Sequence, residues 1–118
     1  MNAKKRKLIV YVDVDDTLIR TFGVKRIPIV PAVERVRLLY ASGAELYCWS
    51  SGGSEYAEAS AREVGLASCF TAFLPKPNVL IDDQSVGSWR FFIEQHPLSN
   101  CSLGVDEYWS EIFSQNSS

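Results

Sequence analysis

The segment Leu8-Ile9-Val10-Tyr11-Val12-Asp13-Val14 is apolar but for one acid, and Asp15, Asp16 and Thr17 follow at once. An apolar run of this length, rich in Val, Ile and Tyr, fits a strand buried on both faces, as the strands of parallel sheets are. Its abrupt end constrains what the fold must provide there. Carboxylates crowded at the edge of a buried strand repel one another unless a cation is shared between them. Hard oxygen donors of this kind suit Mg²⁺, which is usually held by one or two carboxylates together with phosphate oxygens. The feature therefore implies an α/β fold with phosphate chemistry at one edge of its sheet.

With 118 residues, 47% of them hydrophobic, the chain is sized for one domain, placed at residues 8–113. A net charge of -2 gives no electrostatic footprint for nucleic acid or an anionic membrane. The basic cluster Lys4-Lys5-Arg6-Lys7 reads as a solvated arm over residues 1–7, and the polar residues 114–118 as a frayed tail. Cys48, Cys69 and Cys101 are odd in number and scattered, without a C-x-x-C pair, so neither a zinc site nor a disulfide framework is supported. The apolar stretches are too short to span a bilayer and the N-terminus lacks a signal-peptide core, which makes the cytoplasm the expected compartment.

Strands are expected at residues 8–14, 44–49, 70–74 and 78–81, with residues 89–94 a fifth strand or a helical turn. Residues 19–30 read as a loop with room for a short hairpin. Pro31 suits the first turn of a helix that Gly43 stops, with Val33, Val36, Leu39 and Tyr40 at helical spacing. Ser54 is expected to cap a second helix ending near Gly65, and Val105, Tyr108, Trp109, Ile112 and Phe113 fall on one stripe of a third. Strands alternating with helices at this spacing predict a three-layer α/β sandwich around a parallel sheet, in which ligands sit beyond the carboxyl ends of the strands.

That rule gathers four groups along one edge: Asp13, Asp15, Asp16 and Thr17 after the first strand; Ser50-Ser51-Gly52-Gly53 after the second; Lys76 before the fourth; and Asp82-Asp83 after it. Each alone is commonplace as a cap, turn or surface residue. Together, in this order, they resemble the haloacid dehalogenase superfamily of aspartate-nucleophile phosphohydrolases. The resemblance covers residues 8–85 and rests on Asp13-Val14-Asp15-Asp16-Thr17-Leu18, on Leu46-Tyr47-Cys48-Trp49-Ser50, on Lys76-Pro77, and on Val79-Leu80-Ile81-Asp82-Asp83. Lys-Pro followed by Ile-Asp-Asp is similar to small cap-less bacterial phosphatases of the capsule-biosynthesis type. Tyr56-Ala57, six residues after Ser50, is similar to RNA polymerase C-terminal-domain phosphatases.

The resemblance implies a Rossmann-like, mostly parallel five-stranded sheet with helices on both faces and no cap domain. It implies a phosphatase in which Asp13 is the nucleophile and forms an aspartyl-phosphate, while Asp15 serves as general acid and then base. Mg²⁺ would be held by Asp13, the Asp15 main-chain carbonyl and Asp83, with Asp82 orienting water or Lys76. Ser50, Ser51, Gly52 and Lys76 would hold the phosphoryl oxygens, and Thr17 would fix the loop. Asp16 stands where members often have Gly. The open site suits a bulky phosphorylated substrate, or completion by another subunit in a homo-oligomer; Arg20, Lys25 and Arg26 are candidates to meet an anionic substrate. The alternative is a non-catalytic binding or regulatory module that keeps the fold and the metal.

Overall fold

Strand β1 (Ile9–Asp13) stops one residue short of the apolar run, and the turn that follows explains why. In the computed structural model, which describes residues 6–99 and 103–113, the Val14 carbonyl accepts from the N–H groups of Thr17, Leu18 and Ile19. A carbonyl used in this way is lost to a sheet ladder, so the chain turns out of the sheet with the Val14 side chain already buried. The hairpin expected within the next loop is present: β2 (Ile19–Phe22) and β3 (Lys25–Pro28) pair antiparallel. Gly23 takes φ +59° at its tip, a conformation that costs glycine little. Leu18 and Ile19 at its root are fully buried and tie the hairpin to the core.

Helix α1 (Val30–Ala41) carries Pro31 in its first turn, where a missing N–H has no helical partner to lose, and turns Val36 and Leu39 into the core. Gly43, at φ +99°, leads into β4 (Glu45–Ser50). Helix α2 (Ser54–Glu63) packs through the small residues Ala57, Ser60 and Ala61, which let its backbone approach the sheet. Its cap differs from expectation. Gly53, at φ +106°, is the N-cap and Ser54 is already helical, so the chain turns by glycine geometry without a hydroxyl cap. A 3₁₀ turn at Ala67–Cys69 precedes β5 (Phe70–Pro75), and helix α3 (Val105–Phe113) docks through Tyr108 and Ile112.

The sheet order is β1-β4-β5, all parallel, with Asp13 opposite Trp49 and Ser50 opposite Pro75. The carboxyl ends of the three strands therefore form one rim. Side chains alternate across a sheet. Leu46, Cys48 and Ser50 share the face buried beneath the helices, where the Cys48 thiol meets the Ala57 carbonyl. Ile9, Tyr11, Tyr47 and Trp49 share the other face, with the Tyr11 ring 5.1 Å from that of Tyr47 and 5.0 Å from that of Trp49. Ile9 and Tyr11 remain 58% and 48% exposed, so among the described residues helices cover this sheet on one face rather than two.

Two further expectations fail with that one. Among the described residues the parallel sheet has three strands, not five. Residues 78–81 form no strand, and Val79 and Ile81 are 76% and 95% exposed. An apolar run specifies a strand only when a neighbour supplies a ladder, and here Pro75 and Pro77 just upstream each lack a donor and hold φ fixed. Residues 89–94 are likewise irregular after a 3₁₀ turn at Val86–Ser88. Residues 1–5 of the basic arm, Cys101 and the tail 114–118 lie outside the described residues. Among those described, no helix is long and apolar enough to cross a membrane.

Burial and the nearby Asp13 charge push the Cys48 thiol up to about 12 from its ordinary 9.0. In the unfolded chain the thiol ionises near the lower value while the folded state still keeps its proton, so the unfolded state binds fewer protons and stability falls as pH rises through this window. Wild-type protein is expected to lose about 1.4 kcal/mol per pH unit more than Cys48→Ala over that range, measured by denaturant unfolding.

Candidate active site

Asp13 ends β1 on the open face of the sheet. Its Oδ1 lies 3.1 Å from Lys76 Nζ, an ion pair between side chains 30% and 37% exposed. Its Oδ2 accepts a 3.2 Å hydrogen bond from Thr17 Oγ1. Lys76 is brought there by β5: its N–H donates to the Ser50 carbonyl at 2.9 Å, carrying the ladder one residue past the strand. The ammonium also lies 5.8 Å from the centroid of the Trp49 ring, whose negative face favours a cation. Asp13 is thus a half-buried carboxylate with a cation and a hydroxyl arranged on it.

Asp15 follows two residues on and is exposed. Its Oδ1 accepts a 2.6 Å hydrogen bond from the Tyr56 hydroxyl on the first turns of α2. The next residue, Asp16, holds φ +61° and donates its N–H to the Ile19 carbonyl at 2.8 Å. This is the left-handed region, which glycine and, less readily, Asp or Asn adopt. Replacing Asp16 by Gly is expected to leave stability unchanged or raise it, whereas Asp16→Val is expected to cost about 1–2 kcal/mol in denaturant unfolding. The Arg20 contact of Asp16, 4.0 Å between exposed side chains, is too weak to obscure that comparison.

Ser50 is placed differently from the sequence expectation. It shares the covered face with Leu46 and Cys48, is 1% exposed, and its Oγ accepts the Gly52 N–H at 3.0 Å. The Gly52 amide is therefore committed to the loop itself, and Ser51 stands exposed beside it. Gly52 is required for another reason: a Cβ there would lie 2.9 Å from Tyr56 Cδ2, so the backbone passes directly against the ring.

Asp82 and Asp83 are not brought to this rim group. Both lie exposed in the segment that forms no strand, and Asp82 Oδ1 accepts the Gln84 N–H at 2.9 Å in a local turn. Among the described residues, no three acidic, histidine or cysteine side chains are grouped to hold a metal ion.

Two residues gain a place that sequence reasoning did not assign. The sequence singles out Tyr56 only through a resemblance, and Arg26 only as a candidate to meet substrate. Arg26, on β3, reaches α2 instead: Nη1 donates to the Tyr56 hydroxyl at 2.8 Å, Nη2 to Ser60 Oγ at 2.9 Å, and Nε to Glu63 Oε1 at 3.0 Å. The Tyr56 hydrogen bond raises its pKa above the ordinary guanidinium value, with burial opposing and Glu63 reinforcing. No local pattern signals this pairing, because β3 and α2 meet only in the folded chain.

No protein-family model, curated protein or solved structure matches this chain.

Proposed function

We propose that this chain is a phosphomonoester hydrolase of the haloacid dehalogenase type, acting through an aspartyl-phosphate on Asp13. The single observation that carries the proposal is the Asp13–Lys76 pair, 3.1 Å apart at the carboxyl rim of a parallel sheet although the residues are remote in sequence. A carboxylate is already ionised at neutral pH, and splitting one displacement into two lowers each barrier. In the first step an Asp13 oxygen forms a bond to phosphorus, the bond from phosphorus to the leaving oxygen breaks, and Asp15 supplies the proton that oxygen takes up. In the second step water attacks phosphorus and gives its proton to Asp15, and the Asp13–phosphoryl bond breaks to release inorganic phosphate. The net reaction consumes one phosphomonoester and one water. Lys76 neutralises charge on the group in transfer.

Mg²⁺ would be held by the Asp13 carboxylate and the Asp15 main-chain carbonyl together with water and substrate oxygens, since this ion usually takes only one or two carboxylates from the protein. When bound it would offset charge on the phosphoryl group. Asp82 and Asp83 are left out of that set, because among the described residues no three acidic, histidine or cysteine side chains are grouped. The test is turnover of 4-nitrophenyl phosphate by the wild-type chain, expected to require Mg²⁺ and to be lost in EDTA and restored on adding the metal back.

A second reading, a non-catalytic module of the same fold, draws on one observation. The Ser50–Gly52 loop is closed on itself, with the hydroxyl buried and the amide paired to it. Folded wild-type protein that binds Mg²⁺ yet turns over no member of a broad phosphoester panel would select that reading.

A further inference from the structure

We infer that Tyr56, held by Arg26, is a positioning residue that orients the Asp15 carboxyl for proton transfer to the leaving group. The inference rests on the phosphatase reading above and assigns a part in it to two side chains outside the nucleophile's own contacts. The direction of the hydrogen bonds carries it. A guanidinium has donors and no acceptor, so in the 2.8 Å contact between Arg26 Nη1 and Tyr56 the phenolic oxygen must be the acceptor. The phenolic proton is then left to donate elsewhere, and the 2.6 Å contact with Asp15 Oδ1 is where it goes.

The relay runs one way, Arg26 to Tyr56 to Asp15, and occupies Oδ1. The proton that Asp15 exchanges with substrate is consequently carried on Oδ2. Tyr56 is itself confined. One side of its ring faces the Gly52 backbone, where a Cβ would come within 2.9 Å, and the Arg26 guanidinium lies 5.3 Å from the ring centroid. Arg26 is fixed in turn by Ser60 and Glu63, which hold its planar fork in register with α2. A carboxyl on an exposed turn thereby acquires a set orientation without a cap domain over it. The hairpin β2–β3 supplies the support.

An acid that protonates the leaving oxygen matters most for leaving groups of high pKa, which separates this role from a general effect on folding. The wild type, Tyr56→Phe and Arg26→Ala are compared on 4-nitrophenyl phosphate, phenyl phosphate and ethyl phosphate, with thermal unfolding of each protein recorded alongside. General acid–base groups contribute about 10²–10⁴ in rate, so each variant is expected to lose at least about tenfold more kcat on ethyl phosphate than on 4-nitrophenyl phosphate, with KM within about twofold. The double variant is expected to be no worse than Tyr56→Phe alone, since the two side chains act through one contact. A loss equal across the three substrates, or no loss, overturns the inference and leaves the phosphatase reading standing. Should Tyr56→Phe fail to fold, Arg26→Ala decides by the same substrate comparison. A wild type without turnover, or one whose turnover survives Asp13→Asn, overturns both together.

Discussion

Asp13→Asn is expected to abolish phosphomonoester hydrolysis, lowering kcat by about 10⁴ or more, because the amide cannot form the covalent phosphoryl intermediate. The substitution is nearly isosteric. The Asn carbonyl oxygen can still accept from Thr17 Oγ1, now 3.2 Å from Asp13 Oδ2. What is lost is the ion pair with Lys76, which is more than a third exposed on the lysine side. Pairs of that kind contribute about 0–1 kcal/mol to stability. A small change in the unfolding midpoint with loss of turnover therefore separates chemistry from folding. Initial rates on 4-nitrophenyl phosphate, read beside a thermal melt, make the measurement. A variant retaining a tenth of wild-type kcat would remove Asp13 from the role of nucleophile.

Lys76→Met carries the second largest expected effect, a loss of about 10²–10³ in kcat, the usual consequence of removing one preorganised electrostatic contact from charge that develops in a transition state. Methionine keeps an unbranched apolar stem against Trp49 and removes only the ammonium, 5.8 Å from that ring and 3.1 Å from Asp13. Lys76 also anchors the end of β5 through its main-chain N–H to the Ser50 carbonyl, a bond the substitution leaves in place. The loss should therefore fall on turnover rather than on folding. A change of less than about threefold would mean that the ammonium serves only to neutralise Asp13 in the resting protein, since electrostatic contacts to a reacting group weigh far more than that.

Much of the fold was legible from local pattern. Strands β1, β4 and β5 and helices α1, α2 and α3 all stand where apolar runs and helical stripes place them. Pro31 and Gly43 bracket α1 because their restrictions on φ act within the residue itself. The strand-end rule places Asp13 and Lys76 on one rim from the sequence alone, and the 3.1 Å ion pair lies there. The same reasoning misplaced Ser50. Leu46, Tyr47, Cys48 and Trp49 are all apolar, so no alternation in the sequence distinguishes the covered face of β4 from the open one. It also carried Asp82 and Asp83 to the rim on the strength of Val79-Leu80-Ile81, an apolar stretch that pairs with no strand.

Residue order alone determined that β1, β4, β5 and the three helices form where they do, and that acids, a hydroxyl and a lysine follow strand ends, because backbone preference and apolar period are properties of neighbours along the chain. Tertiary structure alone decided that Lys76 faces Asp13, that Tyr56 and Arg26 reach Asp15, that Ser50 turns inward, and that the sheet stops at three strands. Each of those outcomes depends on a partner supplied by a distant segment. A hydrogen bond or a ladder has no direction until that partner is in place.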